Sequence, residues 1–126
     1  MSWATKYIEE LQLGNTVQFR PRGNSMEGKI SSGQLVTVEP IIKEEFTCNV
    51  VNEKYVTTVV TEECLLRKND IVLCKVKGSQ YLHLITAIKD SENFDNAQYQ
   101  ISNNKGFVNG WITIDSIFGK VVKIEK

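Results

Sequence analysis

The sequence predicts a mostly β fold, a coiled sheet of barrel-like form, preceded by one amphipathic helix. Three observations predict it. Short β-branched and aromatic runs recur after Gly14, turn residues separate them, and only the N-terminal segment carries a helical apolar period. In that segment Trp3, Tyr7 and Leu11 recur at every fourth position with Ala4 and Ile8 beside them. A helix is therefore predicted over residues 2–13, with Ser2 as its cap and Gly14-Asn15 as its stop. So short a helix gains little alone, and its aromatic stripe must be buried against the domain or a partner.

The strands follow in order. Val17 and Phe19 alternate with polar neighbours and end at Pro21, and the run 35–39 stops at Pro40, which cannot donate to a ladder. Runs 46–51 and 55–61 flank Asn52-Glu53-Lys54 and predict a hairpin. A second hairpin joins 71–76 to 80–88 through Lys77-Gly78-Ser79. Runs 99–102, 111–114 and 117–124 complete the set, with Asn109-Gly110 read as a two-residue turn. The polar stretch 90–98 predicts a loop, and Lys120, Lys123 and Lys126 predict a solvated edge strand at the C-terminus.

Composition narrows the function classes. The 126 residues hold 15 Lys+Arg against 15 Asp+Glu, so no electrostatic field favours nucleic acid as a ligand. No apolar run approaches the roughly 20 residues that cross a bilayer, and the N-terminus is no signal-peptide core. Cys48, Cys64 and Cys74 are odd in number and scattered, which argues against a disulfide framework and for a reducing, cytoplasmic setting. Together with His83 they could be counted as four zinc ligands, but no close pair exists, so neither metal nor cofactor is expected.

The chemistry-bearing candidate is Gly23-Asn24-Ser25-Met26, which follows a strand that ends at Pro21. Glycine lets the chain bend there, and a serine at such a turn stands clear of the backbone. Most loop serines only satisfy local backbone groups, so the surrounding order matters. After Ser25-Met26 come Ile30 and Gly33-Gln34-Leu35-Val36, then Asn69-Asp70-Ile71-Val72, the strand Tyr81-Leu82-His83-Leu84-Ile85, the block from Ile101 through Asn103-Asn104 to Gly106, and Phe118-Gly119-Lys120-Val121. This series resembles the serine-peptidase superfamily of LexA-type repressors, UmuD-like proteins and type I signal peptidases, over about residues 17–124.

The resemblance implies a LexA/signal-peptidase-like domain at 15–126 behind an N-terminal helix at 1–14, with a hairpin inserted at about 44–66. It implies Ser25 as nucleophile and backbone N–H groups of Ser25 and Met26 as oxyanion donors. His83 falls in the slot where LexA-type and bacterial signal peptidases place a lysine, and so looks like the histidine variant of the endoplasmic-reticulum and archaeal signal peptidases. The acidic residue of those relatives is replaced by Asn103 and Asn104; Asp115 is the nearest acid beyond them and the candidate orienting residue. Lys75 and Lys77 are fallback bases. Neutral imidazole accepts a proton near pH 7 without the heavy desolvation a lysine requires.

The expected function is thus a serine endopeptidase acting on a protein or peptide through a Ser25–His83 dyad. The competing expectation is a binding or accessory module of the same fold, with Ser25 and His83 incidental. The resemblance also admits a homodimer, since relatives often pair.

Overall fold

The structure, a computed structural model, describes residues 3–23, 25–41, 46–51, 54–59, 66–89 and 97–125, the stretches 46–51 and 54–59 as backbone. Outside them lie the Ser2 cap, Asn24, the 52–53 turn, Cys64, the Cys48 side chain and most of the 90–98 loop. Helix α1 (Thr5–Gln12) is followed by β1 (Val17–Phe19), β2 (Leu35–Pro40), β3 (Phe46–Val51), β4 (Lys54–Val59), β5 (Ile71–Val76), β6 (Ser79–Lys89), β7 (Gln98–Ser102), β8 (Val108–Ile112) and β9 (Ile117–Glu125). A 3-10 turn at Ile114–Ser116 leads into β9.

The protein is mostly β. Seven strands form one antiparallel sheet in the order β1-β2-β9-β5-β6-β7-β8, and β3 and β4 form a separate antiparallel pair. The hydrogen-bonded ladder has two ends, β1 and β8. The sheet nevertheless coils: a side-chain carbon placed on Gly110 of β8 would lie 3.0 Å from Val76 of β5.

Strand β5 shows why the sheet can bury both faces. Its run Ile-Val-Leu-Cys is buried at every position. Ile71 and Leu73 join one cluster with Ile8, Leu11, Val36 and Val38, whereas Val72, Cys74 and Val76 join another with Ile85, Tyr99, Ile101 and Ile117. Such a near-continuous apolar run is what two covered faces require. Cys74 is a packing residue in that core, and burial pushes its thiol up to about 12, so it is no nucleophile at neutral pH.

Helix α1 covers the first face with Ala4, Ile8 and Leu11. It settles over β9 because Gly119 leaves a gap: an added side-chain carbon there would come 2.5 Å from Val38 and 2.9 Å from Leu11. The helix starts later than the 2–13 expectation, with Ala4 as its N-cap, and the Gln80 side chain accepts from the Ala4 N–H at 2.9 Å. It ends as expected. Gly14 N–H donates to the Leu11 carbonyl and Asn15 N–H to the Glu10 carbonyl, the paired bonds of a Schellman stop.

Two strand expectations are corrected. Asn109-Gly110 is not a turn but lies inside β8, and the β7–β8 reversal falls at Asn104-Lys105-Gly106. The Asn103 side chain shapes that reversal, accepting from the Lys105 and Phe107 N–H groups at 2.9 Å each. Nor is β9 an edge throughout. Its first half pairs with both β2 and β5, and from Val121 onward, among the described residues, it pairs with β2 alone. Lys120 accommodates this by reaching Asp70 at 3.4 Å, half-exposed beside the sheet.

Candidate functional site

Ser25 stands at the start of a tight turn between β1 and β2. The turn closes where the Met26 carbonyl accepts from the Lys29 and Ile30 N–H groups at 3.0 and 2.8 Å, and the buried Met26 and Ile30 side chains root it in the core. At its base, the Gly33 N–H donates to the Pro21 carbonyl and the Gly23 N–H to the Ser32 hydroxyl. Ser25 is left exposed. Among the described residues the Ser25 and Met26 N–H groups have no backbone acceptor.

The turn is also held from across the molecule. The Asn104 N–H donates to the Ser25 carbonyl at 2.9 Å, and its side-chain amide donates to the Glu27 carbonyl at 2.7 Å. Gly28 permits that approach. Its φ of +100° suits glycine, and a side-chain carbon there would sit 2.9 Å from the Asn104 amide nitrogen.

His83 lies on β6, paired with Val72 of β5 and 7% exposed. Strand alternation places it on one face with Tyr81, whose ring stacks on the imidazole at 4.8 Å between centroids. The His83 Nε2 is 3.2 Å from Ser25 Oγ, and Nδ1 is 2.7 Å from Asn109 Oδ1. With the amide oxygen facing the ring, Nδ1–H donates to Asn109. Nε2 then carries the lone pair that accepts from the Ser25 hydroxyl, which is the tautomer a general base needs.

A backbone irregularity aims Asn109. In the β7–β8 ladder Ile101 faces Gly110 and Ser102 faces Val108, which leaves Asn109 as the extra residue of a bulge. A bulge turns its extra side chain out of the strict alternation. Read locally, Asn-Gly signals a turn. The available counter-signal was Gly110 inside an otherwise strand-like run, the pattern of a bulge.

The other sequence-predicted residues fall elsewhere. Asp115 is exposed on the 3-10 turn, while the group beside His83 Nδ1 is the Asn109 amide. Lys75 and Lys77 are exposed on β5 and at the following turn. Asn103 and Asn104, which stand in place of an acid, order the β7–β8 loop and clamp the serine turn respectively.

Electrostatically, burial pushes the His83 pKa below its ordinary 6.5, and the Asn109 hydrogen bond opposes this only in part. Burial therefore favours the neutral ring. A cavity of about 440 Å³ opens beside the pair, with Ser25 and His83 in its wall and Trp3, Tyr7 and Phe19 around the remainder. Among the described residues no group of His, Cys, Asp and Glu could hold a metal ion, and no helix is long and apolar enough to cross a membrane. The chain matches no protein-family model, and no curated protein or solved structure matches it.

Proposed function

We propose that the chain is a serine peptidase in which Ser25, His83 and Asn109 act as a unit, on a fold of the LexA, UmuD and signal-peptidase type. The observation that carries this reading is the relay Ser25 Oγ to His83 Nε2 at 3.2 Å and His83 Nδ1 to Asn109 Oδ1 at 2.7 Å. The first distance is within the looser range of an unliganded site.

Ser25 Oγ attacks a peptide carbonyl as His83 Nε2 takes its proton. The negative charge on the carbonyl oxygen is received by the Ser25 and Met26 N–H groups. His83 returns the proton to the departing amine, the C–N bond breaks, and an acyl-Ser25 ester remains. Water, deprotonated by His83 in turn, hydrolyses the ester and restores Ser25. Asn109 holds the imidazole in its productive tautomer but carries no charge, so it adds less to the imidazolium than a carboxylate would.

The scattered cysteines support placing this activity in a reducing, cytoplasmic setting. The test is labelling with a fluorophosphonate at pH 8, read by peptide mass spectrometry. Wild type should be modified on Ser25, and Ser25→Ala or His83→Ala should not. An unmodified Ser25 in folded wild type sinks the reading and leaves the binding-module alternative.

A further inference from the structure

We propose that the cavity beside Ser25 selects an extended peptide carrying a large apolar side chain and a nearby carboxylate, the first seated on Trp3 and Tyr7 and the second on Arg20 and Arg22. The register of such a peptide against Ser25 rests on the peptidase reading; its recognition does not.

The apolar half follows from the aromatic wall. Tyr7 stacks on Phe19 at 4.5 Å, and Trp3 meets Phe19 edge-on at 5.6 Å. Phe19 is buried, but Trp3 stays 50% exposed at the mouth of a cavity of about 440 Å³. That volume is in the usual range for a ligand site. The wall is also tied to the sheet. Gln80 receives the Ala4 N–H at 2.9 Å and donates to the Thr5 hydroxyl at 3.0 Å, which ties the start of α1 to β6. A preorganised aromatic surface loses little entropy when an apolar side chain packs on it.

The acidic half follows from charge. The described lining includes Arg20 and Arg22 and no carboxylate, in a chain whose formal charge is zero. Arg20 is fixed in place by donating to the Gly33 carbonyl at 2.8 Å. An aromatic wall alone would also attract a cation, but the two guanidinium groups repel one. A carboxylate on the peptide meets the opposite condition.

The experiment uses a synthetic library of acetylated, amidated octapeptides, with cleavage products read by mass spectrometry. In parallel, the same library is captured on immobilised Ser25→Ala protein. Peptides holding Phe, Leu or Trp together with Asp or Glu should be cut, and captured, about five- to tenfold more than counterparts with Lys in place of the acid. Trp3→Ala should erase the apolar preference and leave the pH dependence of cleavage unmoved, and Arg22→Glu should weaken or invert the charge preference. If wild type cuts nothing but the Ser25→Ala protein shows this enrichment, the recognition proposal stands and the peptidase reading fails. Cleavage indifferent to both features, or capture favouring Lys and Arg peptides, overturns the proposal while leaving any observed hydrolysis intact.

Discussion

The two halves of the candidate site are built in opposite ways. His83 and Asn109 are held within the sheet, the imidazole 7% exposed on an interior strand and the amide aimed by a bulge in β8. Ser25 sits on an exposed turn that is held by short-range bonds, by buried Met26 and Ile30, and by Asn104 reaching over from the β7–β8 loop. One β7–β8 hairpin thus supports both halves. It offers Asn109 to His83 and Asn104 to the Ser25 turn. On the proposed mechanism, a histidine buried in the sheet and a serine on a tethered turn should respond differently to damage on each side.

The largest effect is expected from removing the base outright. On the proposed mechanism the pair works as one unit, so His83→Ala should lower hydrolysis by about 10³–10⁴-fold, and Ser25→Ala, His83→Ala and the double variant should be nearly alike. Clearly multiplicative losses in single-turnover assays would break the pairing. Next comes the orienting amide. Asn109→Ala should cut kcat by roughly 10–100-fold with little change in KM, since it frees the ring to adopt the wrong tautomer.

The pH dependence sharpens the base side of the comparison. The base works when unprotonated and burial holds the His83 pKa below 6.5, so the acid limb of kcat/KM should have its midpoint below that value. Asn109→Asp places a negative charge beside Nδ1 and favours the imidazolium, so the limb should move to higher pH. A limb that stays put would separate Asn109 from the titrating group.

The tether is worth less. Asn104→Ala removes the bond to the Glu27 carbonyl but keeps the backbone bond to Ser25, and should destabilise the fold by about 0.5–1.5 kcal/mol in urea titrations. Activity should fall more than that loss implies if the turn needs the clamp for Ser25 placement. The smallest effect is expected at Lys75. Exposed on β5, its replacement by Met should change stability by less than about 0.5 kcal/mol and leave the pH–rate profile unmoved. A lost limb there would name a lysine as base.

Much of the architecture was legible because it depends on local period. The stripe of Trp3, Tyr7 and Leu11 with Ala4 and Ile8 beside it, the Gly14 stop and the alternating strand runs each reflect a residue's nearest neighbours, although the structure buries Ala4, Ile8 and Leu11 and leaves Trp3 half exposed. The positions of Ser25 on a turn and of His83 on a strand face with Tyr81 could be read the same way. The order of β9 in the sheet could not, since its lysines look like an edge until their pairing partners are known.

The sequence by itself determined the element types, the placement of a serine after β1 and the single histidine available to it. Only the tertiary structure decided that the two meet, and that Asn109 rather than an acid stands behind the imidazole. The physical reason is register. Whether Asn-Gly makes a turn or a bulge depends on which residues of β7 lie opposite, and that pairing is set by burying Ile101 and Ile112 in the core, with the reversal shaped by the Asn103 side chain.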